Sequence, residues 1–267
     1  KRDKPFFMYL AFNAPHDPRQ APKEYVDMYP LDSIKVPENF LPEYPYAEAI
    51  CGKKLRDESL MPYPRTEYAV KRNRQEYYAA VTYMDHHIGR MLDALEASGK
   101  ADNTYIIFSS DHGEMLGDFG MYAKYVAYEG SLRVPLIVSG PGIQGGGVSD
   151  ALVELIDVNP TICELAGLGM QEHIDAQSFV PALTSDAAEH RTETASVIEN
   201  FRCIRTRQYK LIHNYNDAFE LYDLENDPQE LNNVANQRPG VFEELHGRLR
   251  ERFFGGRSLP KGMDIRI

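Results

Sequence analysis

The sequence lacks several features that mark common classes of protein. None of its 267 residues is tryptophan, and only three are cysteine. The cysteines are odd in number and far apart, so they indicate neither a disulfide framework nor a zinc site. No apolar run approaches the about 18 residues that a membrane-spanning helix needs. Excess positive charge is absent too: the net charge of −11 argues against a general nucleic-acid binder, which needs a basic face.

The rest of the composition is typical of a globular protein. Hydrophobic residues make up 43% of the sequence, which is enough for a substantial core. An acidic protein can still bind an anionic substrate, because a local group of cations or a metal ion overrides the global charge. The sequence begins at Lys1 with neither a starting Met nor a signal segment. We therefore expect it to be the C-terminal portion of a longer protein.

Strand-length apolar runs alternate with amphipathic helices in the first part of the chain. The predicted strands are residues 6–12, 104–109 and 134–138. Apolar residues recur every three or four positions over 73–98, which predicts a helix. A capping Asp157, with Pro160 and Gly167, predicts another that ends at Leu165. This alternation predicts an α/β fold with a mixed, largely parallel sheet flanked by helices.

From about residue 196 the pattern changes to short strands with tight connections. The predicted strands are residues 196–199, 202–205, 210–215 and 219–223. They predict a small C-terminal antiparallel sheet, followed by a helix over about 241–253. We therefore divide the chain into an α/β part, residues 1–190, and a small antiparallel subdomain with a terminal helix, residues 191–267.

A segment rich in proline, tyrosine and charge extends to about residue 72. Its prolines prevent long regular elements, so we expect a long excursion over the surface. The tyrosines in question are Tyr44, Tyr46, Tyr63 and Tyr68. They either line a substrate cleft, since aromatic faces pack well on sugar rings, or serve as surface packing.

Polar side chains capable of chemistry follow the predicted strands, where ligands of α/β sheets collect. Asp111 and His112 offer an oxygen and a nitrogen to a divalent cation; alternatively, Asp111 caps a turn and His112 is simply exposed. His16, between Pro15 and Pro18, is suited to donating a proton or contacting an anion, or is a satisfied histidine without a role. Lys124, in a loop rich in glycine and tyrosine, is either an anion ligand or a solvated lysine.

Residues 110–142 resemble the second signature region of the sulfatases in the alkaline phosphatase superfamily. The family pattern is S-D-[HN]-G, a variable loop, K-x-x-x-[YF]-[ED], and then R-V-P-L-[IV]. The matching elements are residues 110–113, Lys124 with Tyr128 and Glu129, and residues 133–137. Upstream, Ala14-Pro15-His16 resembles the family's H-x-P-H segment, and downstream residues 219–233 resemble its E-L-Y-D-L-x-x-D-P-x-E-x-x-N hairpin.

The resemblance implies a type I, formylglycine-dependent sulfatase that hydrolyses a sulfate ester of a small molecule or saccharide. By that resemblance, Asp111 and His112 bind Ca²⁺ or Mg²⁺, Lys124 binds a sulfate oxygen, and His16 contacts the sulfate or protonates the leaving alcohol. Cleavage of the S–O bond moves negative charge onto oxygen, which a cation, an ammonium and an acid stabilise. Glu114 and Asp17 are weaker candidates for supporting or substrate-side positions.

The nucleophile of that family is missing from the sequence. Formylglycine is made from the Cys or Ser of C/S-x-P/A-x-R, and no such segment occurs here. The resemblance places it, with further metal ligands, ahead of Lys1, so we expect this chain alone to be inactive. Exposed strand edges would then favour association, which leaves a homo-oligomer open. The resemblance also favours a periplasmic or secreted protein.

Two alternatives are left open. The first keeps the fold and replaces sulfate by phosphate, as in the phosphodiesterases and phosphonate hydrolases related to sulfatases. The second is a non-catalytic descendant used for binding, which would lack the nucleophile even in the complete gene. A formylglycine motif upstream would largely separate the sulfatase from the first alternative, and the second alternative predicts that the motif is lost.

Overall fold

The computed structural model describes residues 4–44, 46, 56–61, 63–122, 124–169, 175–185, 189–198, 201–214 and 218–255. Cys51, and the predicted strand ends Glu199 and Tyr215, lie outside these residues. The chain divides into two compact units: unit 1 is residues 1–36 and 66–101, and unit 2 is residues 37–65 and 102–267. The separate division predicted at residue 190 stays a prediction.

Unit 1 is built on one long helix, α2, at Glu67–Ala97. The hydroxyl of Thr66 accepts the N–H of Ala69 at 3.2 Å and so caps its first turn. The helix ends before Gly99, whose φ of 69° is a conformation that glycine adopts without strain. The predicted helix is confirmed and starts earlier than expected. No helix in the described ranges is both long and apolar enough to cross a membrane.

The remaining parts of unit 1 are short. Helix α1 is Lys23–Asp27, and a 3₁₀ turn follows at Leu31–Ser33. Residues 6–12 form no strand, and their Phe7 and Tyr9 side chains are 74% and 82% exposed. A strand needs a partner that completes its hydrogen-bond ladder, and none of the described strands pairs with this segment. The strand predicted there is therefore wrong for the described part of the chain.

In unit 2, β1 (Ile106–Ser109) and β2 (Leu136–Ser139) pair antiparallel, with Ser109 opposite Leu136. The predicted sheet was mixed and largely parallel, and these two strands form an antiparallel pair. The only helix described between them is α3, Glu129–Leu132, and the chain enters β2 at the same end at which it left β1. A parallel partner would need a crossover that carries the chain back along the sheet.

The C-terminal part of unit 2 is an antiparallel sheet with the order β3-β4-β5-β6. Its strands are Thr194–Ile198, Phe201–Arg205, Tyr209–Asn214 and Phe219–Asp223. Helix α6, Pro239–Phe254, follows the sheet. The α/β class and the small antiparallel sheet with its terminal helix are both confirmed.

Both faces of this sheet are covered. Leu211 and Leu221 lie on one face and pack against Leu249 of α6. Alternation along the strands turns Ile212 and Tyr222 to the other face, where the loop between β1 and β2 packs. Burying a leucine side chain contributes about 1.5–3 kcal/mol, so this double coverage provides much of the stability of the C-terminal part.

The proline-rich segment has no long regular element in its described residues, but it is not only a surface excursion. It forms a short 3₁₀ helix at Arg56–Leu60. Tyr44, Glu58 and Arg65 are only 4%, 1% and 2% exposed. The prediction of a surface segment is wrong for these residues. Glu58 and Arg65 can be buried because their opposite charges form an ion pair. Tyr44 packs in the core, with its hydroxyl 2.6 Å from that of Tyr128, rather than lining a cleft.

Helices α4 (Val158–Leu165) and α5 (Val180–Thr184) complete unit 2. The predicted α4 is confirmed, but Asp157 does not cap it through its side chain. Its carboxylate instead accepts hydrogen bonds from Arg191 Nε at 2.8 Å and the Gln177 N–H at 2.8 Å. Burial alone would raise the pKa of Asp157, but these hydrogen bonds outweigh it and lower the pKa to about 2.

Candidate active site

The loop from residue 110 to 135, which we call the site loop, leaves β1 and returns to β2. It is closed near its base, where the Gly113 N–H donates to Ser131 O at 2.7 Å and the Glu114 N–H to Gly130 O at 2.8 Å. A Cβ atom on Gly113 would lie 2.1 Å from Gly130 O, so only glycine fits there. This closure places Asp111 and His112 at the mouth of the loop, directly after β1.

Asp111 and His112 are arranged as two ligands of one ion could be. His112 Nδ1 lies 2.7 Å from Gly113 O, which can only accept, so Nδ1 holds the proton and Nε2 presents its lone pair. His112 Nε2 is 3.7 Å from Asp111 Oδ2. That spacing is less than the sum of two metal–ligand distances of about 2.0–2.6 Å, so one ion can reach both atoms.

Asp111 and His112 supply two of the ligands that a metal ion needs. The Asp111 side chain is 87% exposed, so its carboxylate is accessible to an ion. Within the described ranges, no group of three or more His, Cys, Asp or Glu side chains is placed to hold a metal. The donor set therefore suits an ion that takes its other ligands from water, substrate or further protein groups.

Lys124 lies in the same loop and is partly buried. The Ser131 hydroxyl donates to the Lys124 carbonyl oxygen, which ties the lysine backbone to α3. The ammonium lies 5.7 Å from the centre of the Tyr125 ring. The backbone of Lys124 is thus held at the start of α3.

The structure brings three of the four predicted site residues to one groove within unit 2. Asp111, His112 and Lys124 all line a space of about 2050 Å³. Pockets for small ligands have volumes of about 300–1000 Å³, so this is an open groove rather than a closed pocket. Its walls also include Arg133 and Arg205.

His16, the fourth predicted site residue, belongs to unit 1. Its N–H donates to Asn13 O at 2.9 Å, and its Nδ1 lies 3.0 Å from Asp17 O. The Asp17 carboxylate lies 3.5 Å from Arg19, whose guanidinium stands 5.2 Å above the Tyr77 ring of α2. The turn that carries His16 is therefore tied to α2 through Asp17 and Arg19.

Two protein-family models match the sequence of this chain. A family model described as Sulfatase matches residues 1–168, and one described as N-sulphoglucosamine sulphohydrolase, C-terminal, matches residues 117–255. The chain belongs to the sulfatase family. The resemblance seen in the signature region is thereby confirmed.

Individual relatives agree with this assignment. A sulfatase of Formosa agariphila is 35% identical over 87% of this chain and 46% of its own length. An N-acetylglucosamine-6-O-sulfatase of Bacteroides thetaiotaomicron is 34% identical over 71% of this chain and 36% of its own length. This sulfatase chain spans about half the length of the curated relatives that it matches first.

A solved structure shows the same fold. The phosphonate monoester hydrolase of Silicibacter pomeroyi superposes with a TM-score of 0.78 at 26% identity, covering 91% of this chain and 55% of that one. The sulfatase family and its phosphonate-hydrolysing relative therefore share the architecture described above.

The structure also gives a role to Glu129, which the sequence showed only as part of the signature. In this sulfatase chain its carboxylate accepts from Arg205 Nε at 3.2 Å and from Lys210 Nζ at 3.0 Å. Its own N–H donates to Glu230 Oε2 at 2.8 Å, and Glu230 also pairs with Lys210. Burial alone would raise the pKa of Glu129, but Lys210 and Arg205 lower it below the ordinary value.

Lys210 is the residue of this group that sequence reasoning missed. It is fully buried on the face of β5 that packs against the site loop. The sequence did contain a signal for it. Lys210 and Ile212 are two residues apart in a predicted strand, so they point to the same face of the sheet, and an apolar Ile212 indicates that this face is buried. Such a lysine indicates a buried ion pair, although its acidic partners are far away in sequence.

Proposed function

We propose that the protein containing this chain is a sulfatase that hydrolyses a sulfate ester of a saccharide. The observation that carries the proposal is the placement of Asp111, His112 and Lys124 along one groove in a chain of the sulfatase family. A carboxylate, an imidazole lone pair and an ammonium are the groups that a metal-assisted reaction of a tetrahedral anion requires.

Asp111 and His112 would hold a divalent ion, and we propose Ca²⁺ or Mg²⁺. Membership of the sulfatase family implies a metal and a formylglycine in general terms. The Asp111 carboxylate is a hard oxygen ligand of the kind that these two ions prefer, and the choice of Ca²⁺ or Mg²⁺ otherwise rests on the family resemblance. When bound, the ion supplies Lewis acidity towards a sulfate oxygen. The Gly113 carbonyl keeps the His112 ring in the tautomer that offers Nε2.

Lys124 and His16 would act on the substrate itself. The Lys124 ammonium would pair with a sulfuryl oxygen, where negative charge accumulates as the S–O bond breaks. His16 would contact the sulfate or give its proton to the leaving alkoxide, since an imidazolium is a suitable acid near neutral pH. The contact between Nδ1 and Asp17 O fixes the ring orientation for either role.

The nucleophile must come from residues outside this sequence, since the C/S-x-P/A-x-R segment does not occur in it. The chain spans about half of its first relatives, which supports this part of the proposal. A saccharide substrate is supported by the N-acetylglucosamine-6-O-sulfatase relative. A periplasmic or secreted location is a further part of the proposal and rests on the resemblance alone.

A phosphonate monoester hydrolase is the second candidate. It is favoured by one observation, the superposition with the enzyme of Silicibacter pomeroyi at a TM-score of 0.78. A sulfate and a phosphonate monoester are both tetrahedral anions, so Lys124 and the metal ligands serve either. The ratio of kcat/KM for the two kinds of substrate would separate them.

The test uses the complete polypeptide that contains this chain, with its formylglycine verified by mass spectrometry. It is assayed on N-acetylglucosamine 6-sulfate, 4-nitrophenyl sulfate and phenyl phenylphosphonate. We expect the sulfates to have the higher kcat/KM. The change Asp111→Asn should lower it at least about 100-fold, since even groups outside a metal's ligand set cost 10–100-fold. It should also raise the Ca²⁺ or Mg²⁺ concentration needed for half-maximal rate.

The matched control is Asp102→Asn, which alters an exposed aspartate just ahead of β1. It should leave both kcat/KM and the metal requirement unchanged. Wild-type turnover by Asp111→Asn would remove Asp111 from the site, and a higher kcat/KM for the phosphonate would favour the second candidate.

A further inference from the structure

Lys124 lies between two held stretches of the site loop. On its C-terminal side, Tyr128 and Glu129 are bound by the β3–β6 sheet: the Tyr128 hydroxyl donates to Glu220 at 2.5 Å, and Glu129 pairs with Lys210. On its N-terminal side, residues 118–122 are bound by residues 39–65 of the proline-rich segment, which belong to unit 2. Nothing in the sequence singled out that second attachment.

The first contacts of this attachment run between the backbones. The Phe119 N–H donates to Asn39 O at 3.0 Å, and Phe40 forms an isolated antiparallel bridge with Asp118. Gly120 approaches so closely that a Cβ atom on it would lie 2.1 Å from Leu41 O. The site loop and the proline-rich segment are therefore packed backbone to backbone.

A buried ion pair completes the attachment. Both side chains of Glu58 and Arg65 are fully inaccessible to solvent, and they bind each other. Glu58 Oε1 accepts the Tyr122 N–H at 2.8 Å. Arg65 Nε donates to Gly120 O at 3.2 Å. The pair thus holds one backbone donor and one backbone acceptor of the site loop, the nearer of them two residues before Lys124.

Tyr63 keeps this pair in place. Its hydroxyl donates to Glu58 Oε2 at 2.9 Å, and the guanidinium of Arg65 stands 3.8 Å from the centre of its ring. Arg65 also donates from Nη2 to the Glu58 carbonyl oxygen at 3.0 Å. Because the two charges are bound on several sides, their orientation towards Tyr122 and Gly120 is fixed.

The chemistry of the pair argues for a role beyond stability. A buried ion pair is weak evidence for stability, since desolvation offsets most of the attraction between the charges. An apolar pair of similar size would fill the same space, but it would leave the Tyr122 N–H and Gly120 carbonyl without their partners. What the charges supply is a fixed position for the backbone that leads into Lys124.

We propose that Glu58 and Arg65 are positioning residues that set the Lys124 ammonium against the substrate anion. The inference rests on the proposed sulfatase function, in which Lys124 binds a sulfuryl oxygen. Neither Glu58 nor Arg65 touches the substrate. Their effect on the reaction passes through the backbone of residues 120–122 to Lys124.

A double-mutant cycle on the complete polypeptide tests this route, with kcat and KM for 4-nitrophenyl sulfate measured for Glu58→Ala, Lys124→Met and the double variant. Glu58→Ala alone should lower kcat/KM about 10–100-fold, the usual cost of losing a group that orients another. Lys124→Met alone should lower it about 100–1000-fold. The double variant should be no worse than Lys124→Met, because the misplaced ammonium is already gone.

Glu58→Gln is the conservative rescue, since its amide oxygen can still accept the Tyr122 N–H. It should recover much of the loss. If Glu58→Ala does not fold, Tyr63→Phe replaces it in the cycle, because that change removes the hydroxyl that holds Glu58 Oε2. The control is Glu193→Ala, which breaks the ion pair with Arg248 at 3.2 Å elsewhere in unit 2. It should leave kcat/KM unchanged in both backgrounds.

A failure of the positioning inference and a failure of the proposed role of Lys124 give different results in this cycle. If Lys124→Met loses activity and the Glu58 loss simply adds to it, the pair acts on stability or elsewhere, and the positioning inference alone is wrong. If Lys124→Met hydrolyses the sulfate ester like the wild type, the role of Lys124 in the proposed function is wrong, and the inference falls with it.

Discussion

The β3–β6 sheet and the β1–β2 pair, both in unit 2, place their side chains in different surroundings. Strands β4, β5 and β6 of the sheet are covered on both faces, and Lys210 and Glu220 there are fully buried with partners. Only the edge strand β3 exposes apolar side chains, among the described residues of the sheet. The β1–β2 pair leaves Phe108 36% and Ile137 61% exposed. At its end, the Asp111 carboxylate is open to solvent.

This difference separates charges that hold the fold from charges that are available to a ligand. In the sheet, the buried Glu220 carboxylate is bound by the hydroxyls of Tyr128 and Tyr222. The Lys210 ammonium is bound by Glu129 and Glu230, so neither group is left for a substrate. Beside β1, the side chains of Asp111 and His112 are 87% and 34% exposed, so their ligand atoms are accessible to an ion. The site loop joins the two regions, since it starts at β1 and packs on the sheet.

The largest effect on stability is expected from Lys210→Met. Burial alone would lower the pKa of Lys210, but Glu230 and Glu129 raise it above the ordinary value, so the ammonium stays charged. Its removal leaves the buried Glu230 carboxylate without its cation and Glu129 with Arg205 alone, which costs about 3–5 kcal/mol of unfolding free energy. Denaturant unfolding of the complete polypeptide, with hydrogen exchange of β5 amides, measures this loss.

The control for that change is Lys35→Met, which alters an exposed lysine and should shift stability by less than about 0.5 kcal/mol. Adding Glu230→Gln to Lys210→Met should restore part of the loss, because the uncompensated buried charge is removed. Equal stability of Lys210→Met and Lys35→Met would show that the sheet does not depend on its buried charges.

A smaller effect is expected from the acid titration of Asp157. Its folded pKa of about 2 lies below the ordinary value of 3.8, so the folded state holds this proton less tightly than the unfolded state. The stabilisation is complete above pH 5 and is lost as the pH falls towards 2. Its size is about 2 kcal/mol, at 1.36 kcal/mol per pKa unit.

Unfolding free energies measured between pH 6 and pH 2.5 check this, with Asp157→Asn as the comparison. That variant should be less stable at pH 6 and should lose less stability on acidification. An identical slope for both proteins would mean that Asp157 does not contribute to the acid sensitivity.

The smallest expected effect is a difference in the chemical reactivity of two cysteines. Burial raises the pKa of the Cys203 thiol to about 12, and its side chain is fully buried in the sheet, whereas Cys163 in α4 is partly exposed. Iodoacetamide at pH 8 should therefore modify Cys163 and leave Cys203 unmodified until the protein unfolds, since the thiolate is the reactive form. Peptide mass spectrometry reports both sites, and rapid modification of Cys203 in the native protein would contradict the burial of the sheet.

The comparison also shows what the sequence could predict. The C-terminal sheet and α6 follow from local patterns, since alternation and tight turns specify antiparallel neighbours. Residues 6–12 and the direction of the β1–β2 pairing depend on which segment lies alongside, and a strand's own sequence does not contain that information. The apolar run at 6–12 was correctly recognised as strand-like in composition, yet it has no partner among the described strands.

The candidate site shows the same limit. Asp111, His112 and Lys124 were found because they stand in one continuous signature, and the structure places all three along the same groove. Glu58 and Arg65 were missed because each looks like an ordinary surface charge, and the backbone groups that they bind lie more than fifty residues away. Charged residues that support a site from a distant segment are recognisable only once the chain is folded.

Glu129 is bound to the C-terminal part of unit 2 through both its carboxylate and its backbone N–H, and this limits which segments can be exchanged with those of a relative. Its carboxylate is held by β5 through Lys210, and its N–H is held by Glu230 beyond β6. A chimaera that exchanged the C-terminal sheet without a matching lysine and glutamate would release α3 and, with it, the lysine that the site loop presents. The sheet and the loop therefore have to be inherited, or transplanted, as one module.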